Sequence, residues 1–205
     1  MKMKRLSQSV CAVVMCLGMS HAASAHSIDI IGNSTSVELT SFEALTGLGL
    51  SVSGLGSATI SVDSGEFPIA TFGITGGSLN PNTGFAVIEH DGSGLGLSDG
   101  TTAVSLENFL INTQTGLLSG DVSVDDQFVA NLDLFSIGDG LVLSLTAGAA
   151  DALNGVYGTA LPAGLEIGIA SVDVAVVPVP AALPLMFTAL AGLRLSRFEK
   201  YATAL

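Results

Sequence analysis

From His26 to about Val176 the chain is a succession of short runs, interrupted by Gly, Asn, Asp and Pro at intervals of roughly eight to twelve residues. Runs that short do not make ordinary helices, but they match strands that leave and re-enter a sheet through tight turns. Residues 58–63 and 122–125 alternate apolar and polar side chains with period two, as strands with one buried face do. The same rule places Phe128, Ala130, Leu132 and Leu134 on one face. Further strands are predicted at 36–40, 67–74, 84–90, 104–111, 141–145 and 165–176. Turns are predicted at Gly76-Gly77, Asn80-Pro81-Asn82, Asp91-Gly92 and Asp139-Gly140, whose residues accept positive φ or tight bends. The expected fold class is all-β, an antiparallel β-sandwich or flattened barrel. One stretch departs from this rhythm. Thr146 offers a capping hydroxyl, the Ala-rich run after it favours helix, and Asn154-Gly155 can end it, predicting one short helix of about two turns across one end of the sheet.

Charge divides the chain as sharply as pattern does. All six basic residues lie at the ends, while 17 of the 18 acidic residues lie between Arg5 and Arg194. A body without cations has no clamp for phosphate, which argues against nucleic acid as a partner. It also has no ordinary salt bridges. A hydrophobic content of 48% is too high for a chain kept disordered by charge, so a core is available.

Residues 1–25 combine a basic start, an apolar stretch over 10–19 and the small-residue exit Ala23-Ser24-Ala25. That is the three-part form of a secretory signal, with Ala23 and Ala25 at the cleavage site and His26 opening the mature chain. A buried N-terminal helix is the alternative. Both cysteines, Cys11 and Cys16, belong to this segment, so the mature chain would carry neither disulfides nor thiolate metal sites.

Residues 177–205 begin Val177-Pro178-Val179-Pro180-Ala181, continue through an apolar segment and finish with Arg194, Arg197 and Lys200. The apolar part after Pro180 spans about 20 Å as a helix against a hydrocarbon core of about 30 Å, and its flanks bring it into range. The three basic residues would act as a membrane stop on the cytoplasmic side. This proline-flanked opening, apolar segment and basic finish resemble the PEP-CTERM class of sorting tails of polysaccharide-exporting bacteria. The match is closest to the variant opening Val-Pro-Leu-Pro-Ala (VPLPA-CTERM), from which only Val179 differs. The resemblance implies passage through the general secretion machinery, transient residence in the inner membrane and recognition by an exosortase-type membrane protease. Cleavage near the motif would then deliver the body to the cell surface, outer envelope or exopolysaccharide matrix. A plain C-terminal transmembrane anchor is the alternative. The expected organisation is a signal peptide (1–25), an acidic β-domain (26–176) and a sorting tail (177–205).

Material for catalysis is thin. Beyond the signal segment only His26 and His90 remain, with no nucleophile elbow, metalloprotease helix or phosphate loop. Asp125-Asp126 is an acid pair of the kind a glycosidase uses, but the chain has no Trp to form a sugar platform. The expectation is no enzyme and no required cofactor. The cluster Glu89-His90-Asp91-Gly92 carries the rival reading, in which His90 and Asp91 ligate a metal or haem at a strand end. The plainer reading makes Asp91-Gly92 a hairpin turn with His90 solvated at its edge. Asp91, Asp99, Asp125, Asp126 and Asp139 in Gly-rich loops are hard donors for Ca²⁺, without EF-hand spacing.

The run 84–112 with His90-Asp91-Gly92, then Leu145-Thr146-Ala147-Gly148-Ala149-Ala150 and Tyr157-Gly158, is similar to the HtaA-type β-domains of bacterial haem uptake. The resemblance implies a β fold and a haem site in which a tyrosine near the domain's start ligates iron and a histidine supports it. This chain has no tyrosine between His26 and Tyr157. The leading expectation is therefore an exported non-enzymatic surface or matrix protein, the alternative a haem- or metal-binding surface module using His90.

Overall fold

The computed structural model describes residues 27–62 and 67–176. The expected signal segment with Ala23 and Ala25 lies outside them, as do the tail motif from Val177 to Ala181 and the basic residues Arg194, Arg197 and Lys200. Among the described residues no helix is long and apolar enough to cross a membrane.

Among the described residues eleven strands and two helices follow one another: β1 Ile28–Glu38, α1 Phe42–Gly47, β2 Ser51–Gly56, β3 Thr59–Ser61, β4 Ile69–Gly73, β5 Gly76–Leu79, β6 Ala86–Ser98, β7 Ala103–Asn112, β8 Leu117–Val124, β9 Gln127–Ile137, β10 Val142–Leu145, α2 Ala147–Tyr157 and β11 Glu166–Val176. Sequential antiparallel pairing runs from β5 to β11, and β1 pairs with both β5 and β11, so the hydrogen-bonded ring closes. This is the barrel form of the expected all-β sheet, and closure removes most exposed edges. β4 and β5 meet β1 in one continuous register, Ser34 opposite Gly73 and Asp29 opposite Ser78. β2 and β3 fill the gap left where β6 outruns β5, β2 pairing with β6 and β3 with β4.

Alternation along the strands builds the interior. On β7, Val104 and Leu106 face inward, then Phe109 and Ile111; the phase slips by one at Asn108, whose φ is 55°. Phe109 meets Phe72 of β4 edge-on at 5.2 Å, a favoured aromatic arrangement. At the start of β9 a register shift sets Ser123 opposite Phe128 and Val122 opposite Ala130. The predicted inward face fails there: Phe128 is 67% exposed, whereas Leu134 is buried.

The predicted helix is present and longer, eleven residues against about two turns. The Thr146 hydroxyl accepts from the Ala149 amide at 3.1 Å, and Gly158 in the left-handed region ends the helix. Gly155 lies within it, and the Asn154 side chain holds Leu161 through two hydrogen bonds instead of ending the helix. Helix α1 and strand β2 were not anticipated. The Gly76-Gly77 pair is strand rather than turn: a Cβ on Gly77 would lie 2.2 Å from the Val87 carbonyl oxygen, so glycine permits the close approach of β6.

Candidate functional site

β6 runs through Asp91-Gly92 without turning, which corrects the predicted hairpin. His90 stands opposite Phe109 and Gly94 opposite Glu107, so three residues of β6 face Asn108 alone. Gly92 at φ 69° and Asn108 at φ 55° absorb the excess as a β-bulge. Polar contacts fix it: the Gly92 amide donates to Asn108 Oδ1 at 2.9 Å, and the Asp91 amide to Thr75 Oγ1 at 2.9 Å. The Ser93 hydroxyl donates to the His90 carbonyl at 3.0 Å. Asn108 in turn donates to Asp121 at 2.9 Å, and Asn131 does so at 3.0 Å. These two amides hold the Asp121 carboxyl below its ordinary value, Asn108 contributing most.

Alternation along β6 separates the two residues expected to share a metal. His90 points into the barrel and is 1% exposed, whereas Asp91 is at the surface. A carbonyl only accepts, so Nδ1 of His90 carries the proton and donates to the Phe109 carbonyl at 3.2 Å. Nε2 then accepts from the Thr35 hydroxyl at 2.8 Å. Burial lowers the imidazole pKa from its ordinary 6.5 and so favours the neutral ring, against the opposing pull of the Phe109 carbonyl and the Asp91 charge. Neither nitrogen has a lone pair or proton left for a metal.

A haem does not fit beside this imidazole. The cavity bordered by Thr35, Phe72, His90 and Phe109 measures about 30 Å³. That is the scale of one water, against roughly 300 Å³ or more for ordinary ligand pockets. Tyr157 closes α2 instead, its hydroxyl donating to the Leu97 carbonyl at 2.7 Å, and burial raises its pKa.

The five aspartates read as Ca²⁺ donors are each occupied locally or spread apart. Asp99 caps its own turn, accepting from the Thr101 and Thr102 amides at 2.8 Å. Those bonds, Thr102 first, hold its carboxyl below the ordinary value. Asp125 and Asp126, at φ 48° and 63°, are the two central residues of the β8–β9 hairpin, where paired positive φ suits the twist. Asp125 also accepts from the Ala103 amide at 2.9 Å. Asp139 opens a short 3-10 turn. Among the described residues no three His, Cys, Asp or Glu side chains gather as a metal cluster.

Sequence reasoning missed Thr35, Phe109 and Asn108 as the partners that set the fate of His90 and Gly92. Asn108 alone carried a signal, since Asn is the residue that tolerates positive φ inside a strand.

No protein-family profile and no curated protein sequence matches the chain. Among solved structures it is similar to the C-terminal domain of HtaA from Corynebacterium glutamicum, at 12% identity and a TM-score of 0.50, over 70% of this chain and 95% of that one. The expected likeness of the body to HtaA-type β-domains is thus found at the level of the fold.

Proposed function

We propose that the chain is an exported, non-enzymatic barrel module of the cell surface, outer envelope or extracellular matrix, processed through its PEP-CTERM-like tail and associated with exopolysaccharide. The observation that carries this reading is the outer surface. None of the described acidic side chains is buried, and no Lys or Arg lies between Arg5 and Arg194 to neutralise them. Such a module stays hydrated and repels its own copies, which suits dispersal in a polyanionic matrix. The non-enzymatic part rests on His90, whose two nitrogens are both engaged in the interior.

Intact mass of the exported protein tests the processing. The expected species begins at His26 and ends close to the Val177–Ala181 motif. A mature species that retains Leu205 rejects proteolytic sorting and leaves a plain anchor.

The fold likeness to the HtaA domain favours a second reading, haem binding by a surface module. His90 is not placed to serve it. A haem titration followed by absorbance separates the two: the first reading expects no Soret shift. A saturable shift that persists in His90→Ala would establish the second through another residue.

A further inference from the structure

We propose that the space beneath α2 is a binding site for a small uncharged aliphatic molecule, of the chemical class of an aliphatic alcohol. The proposal is independent of the route by which the chain is exported.

Between α2 and the inner faces of β7, β8 and β9 lies a cavity of about 300 Å³. Val104 and Leu106 of β7, Val122 of β8 and Leu134 of β9 form its floor, and Leu153 and Val156 of α2 its roof. Protein interiors contain few voids larger than a water. The barrel interior obeys that rule on the other side of Phe135, where the cavity is only about 30 Å³. The space under α2 is ten times larger and falls at the lower end of the range for small-molecule pockets, roughly 300–1,000 Å³.

The helix does not settle into this space because it is tied at both ends. Thr146 donates through its amide to the Leu134 carbonyl at 3.0 Å and through its hydroxyl to the Asp133 carbonyl at 2.6 Å. At the other end Tyr157 is bound to β6 through the Leu97 carbonyl at 2.7 Å. Between these ties the helix presents Ala149, Ala152 and Gly155 to the cavity, three small residues at a spacing of three. The volume is therefore built into the sequence of the helix and held open by its caps.

The lining chooses the ligand's chemistry. Its walls are aliphatic apart from Phe135, and Val129 at the rim is 59% exposed. Among the described residues Asp151 is the only charged one of the lining. With no Lys or Arg among the described residues, an anionic headgroup meets repulsion at the mouth, whereas a hydroxyl can donate to the Asp151 carboxylate.

The test uses the full chain and the neutral fluorophore N-phenyl-1-naphthylamine, with 1-decanol and decanoate as competitors at about pH 8, where the fatty acid is ionised. Saturable uptake of the fluorophore, displaced by decanol and not by decanoate, is expected. Ala152→Leu, on the half-exposed helix face, should weaken uptake about tenfold or more by filling the cavity while leaving circular dichroism unchanged. Asp151→Lys, at an exposed position, should admit decanoate as a competitor and weaken decanol, whose hydroxyl loses its acceptor. Absence of saturable uptake by the native chain overturns the proposal, as does an affinity unchanged in Ala152→Leu. Equal competition by decanol and decanoate overturns the assignment of an uncharged ligand, and this arm decides alone if Ala152→Leu folds poorly.

Discussion

Inside the barrel the His90 imidazole accepts a hydrogen bond from the Thr35 hydroxyl at 2.8 Å, although the two residues stand 55 apart in the chain. Their strands share no ladder, since β1 pairs with β4, β5 and β11 and β6 with β2, β5 and β7. The bond is a strut across the interior. Together with the Nδ1–H bond to Phe109 it uses both nitrogens of a neutral ring, which is how a histidine is accommodated among Phe72, Phe109 and Leu95.

Replacing His90 by Leu keeps an apolar volume but leaves the Thr35 hydroxyl and the Phe109 carbonyl without the ring. A loss of about 2–4 kcal/mol is expected from two buried groups losing their partner. Thr35→Val should cost about 1–2 kcal/mol on the same reasoning. The double substitution removes both ends of the strut and should cost less than the sum, by about 1 kcal/mol in urea unfolding. Additive losses would remove the strut from the account of stability.

The same burial makes stability depend on pH in one direction. The folded pKa of His90 lies below 6.5, so between that lowered value and about 6.5 the unfolded chain binds a proton that the native chain refuses. Stability therefore rises with pH through this window, is full above about 6.5 and is lost on acidification. Between about pH 7.5 and about pH 5 the difference in unfolding free energy between the native chain and His90→Leu should narrow. A difference that stays constant across that range rejects a neutral, proton-refusing imidazole.

Two glycines at the bulge should respond differently to alanine. Gly92 has φ 69° and open space around its would-be Cβ, so Gly92→Ala meets backbone strain alone, about 1–2 kcal/mol. Gly56 has φ 60° and its would-be Cβ lies 2.0 Å from the Gly92 carbonyl oxygen. Gly56→Ala adds a backbone clash to the same strain and should cost about 3 kcal/mol or more. Urea unfolding of the two variants checks the order; equal losses would mean that the β2–β6 contact yields freely.

Strands such as β7 and β8 were legible because each has one buried face, and a period of two follows from the pleat. α2 was legible through Thr146 and the Ala-rich run behind it. The Asp91-Gly92 step was not, because a hairpin turn and a bulge both require a left-handed residue, and Gly supplies it in either case. What decides between them is Asn108 across the ladder, sixteen residues away, whose side chain receives the Gly92 amide. His90 was illegible for the same reason at longer range: its burial depends on Thr35 and on the closure of β1 against β11, which no local pattern encodes. α1 is six residues long, too short to show a helical period. The cavity under α2 was hidden because its walls read as ordinary core.

The acidic surface sets the response to salt. With no cation among the described residues, every long-range charge interaction in the folded barrel is repulsive, and compaction brings the carboxylates closer than in the unfolded chain. Raising NaCl from about 0.01 to about 0.1 M shortens the screening length from roughly 30 to roughly 10 Å and should relieve that repulsion. A rise in Tm of about 2–4 °C is expected, corresponding to about 1 kcal/mol for a domain of this size. Asp91, Asp99, Asp125, Asp126 and Asp139 gather into no cluster, so CaCl₂ at matched ionic strength should raise Tm no further. Ca²⁺ bridging between molecules would still register as light scattering, which NaCl does not produce. Differential scanning calorimetry and scattering on the same samples separate the two effects. A Ca²⁺ increment in Tm without scattering would instead require an intramolecular site, and a Tm that falls with NaCl would remove uncompensated repulsion as a property of this surface.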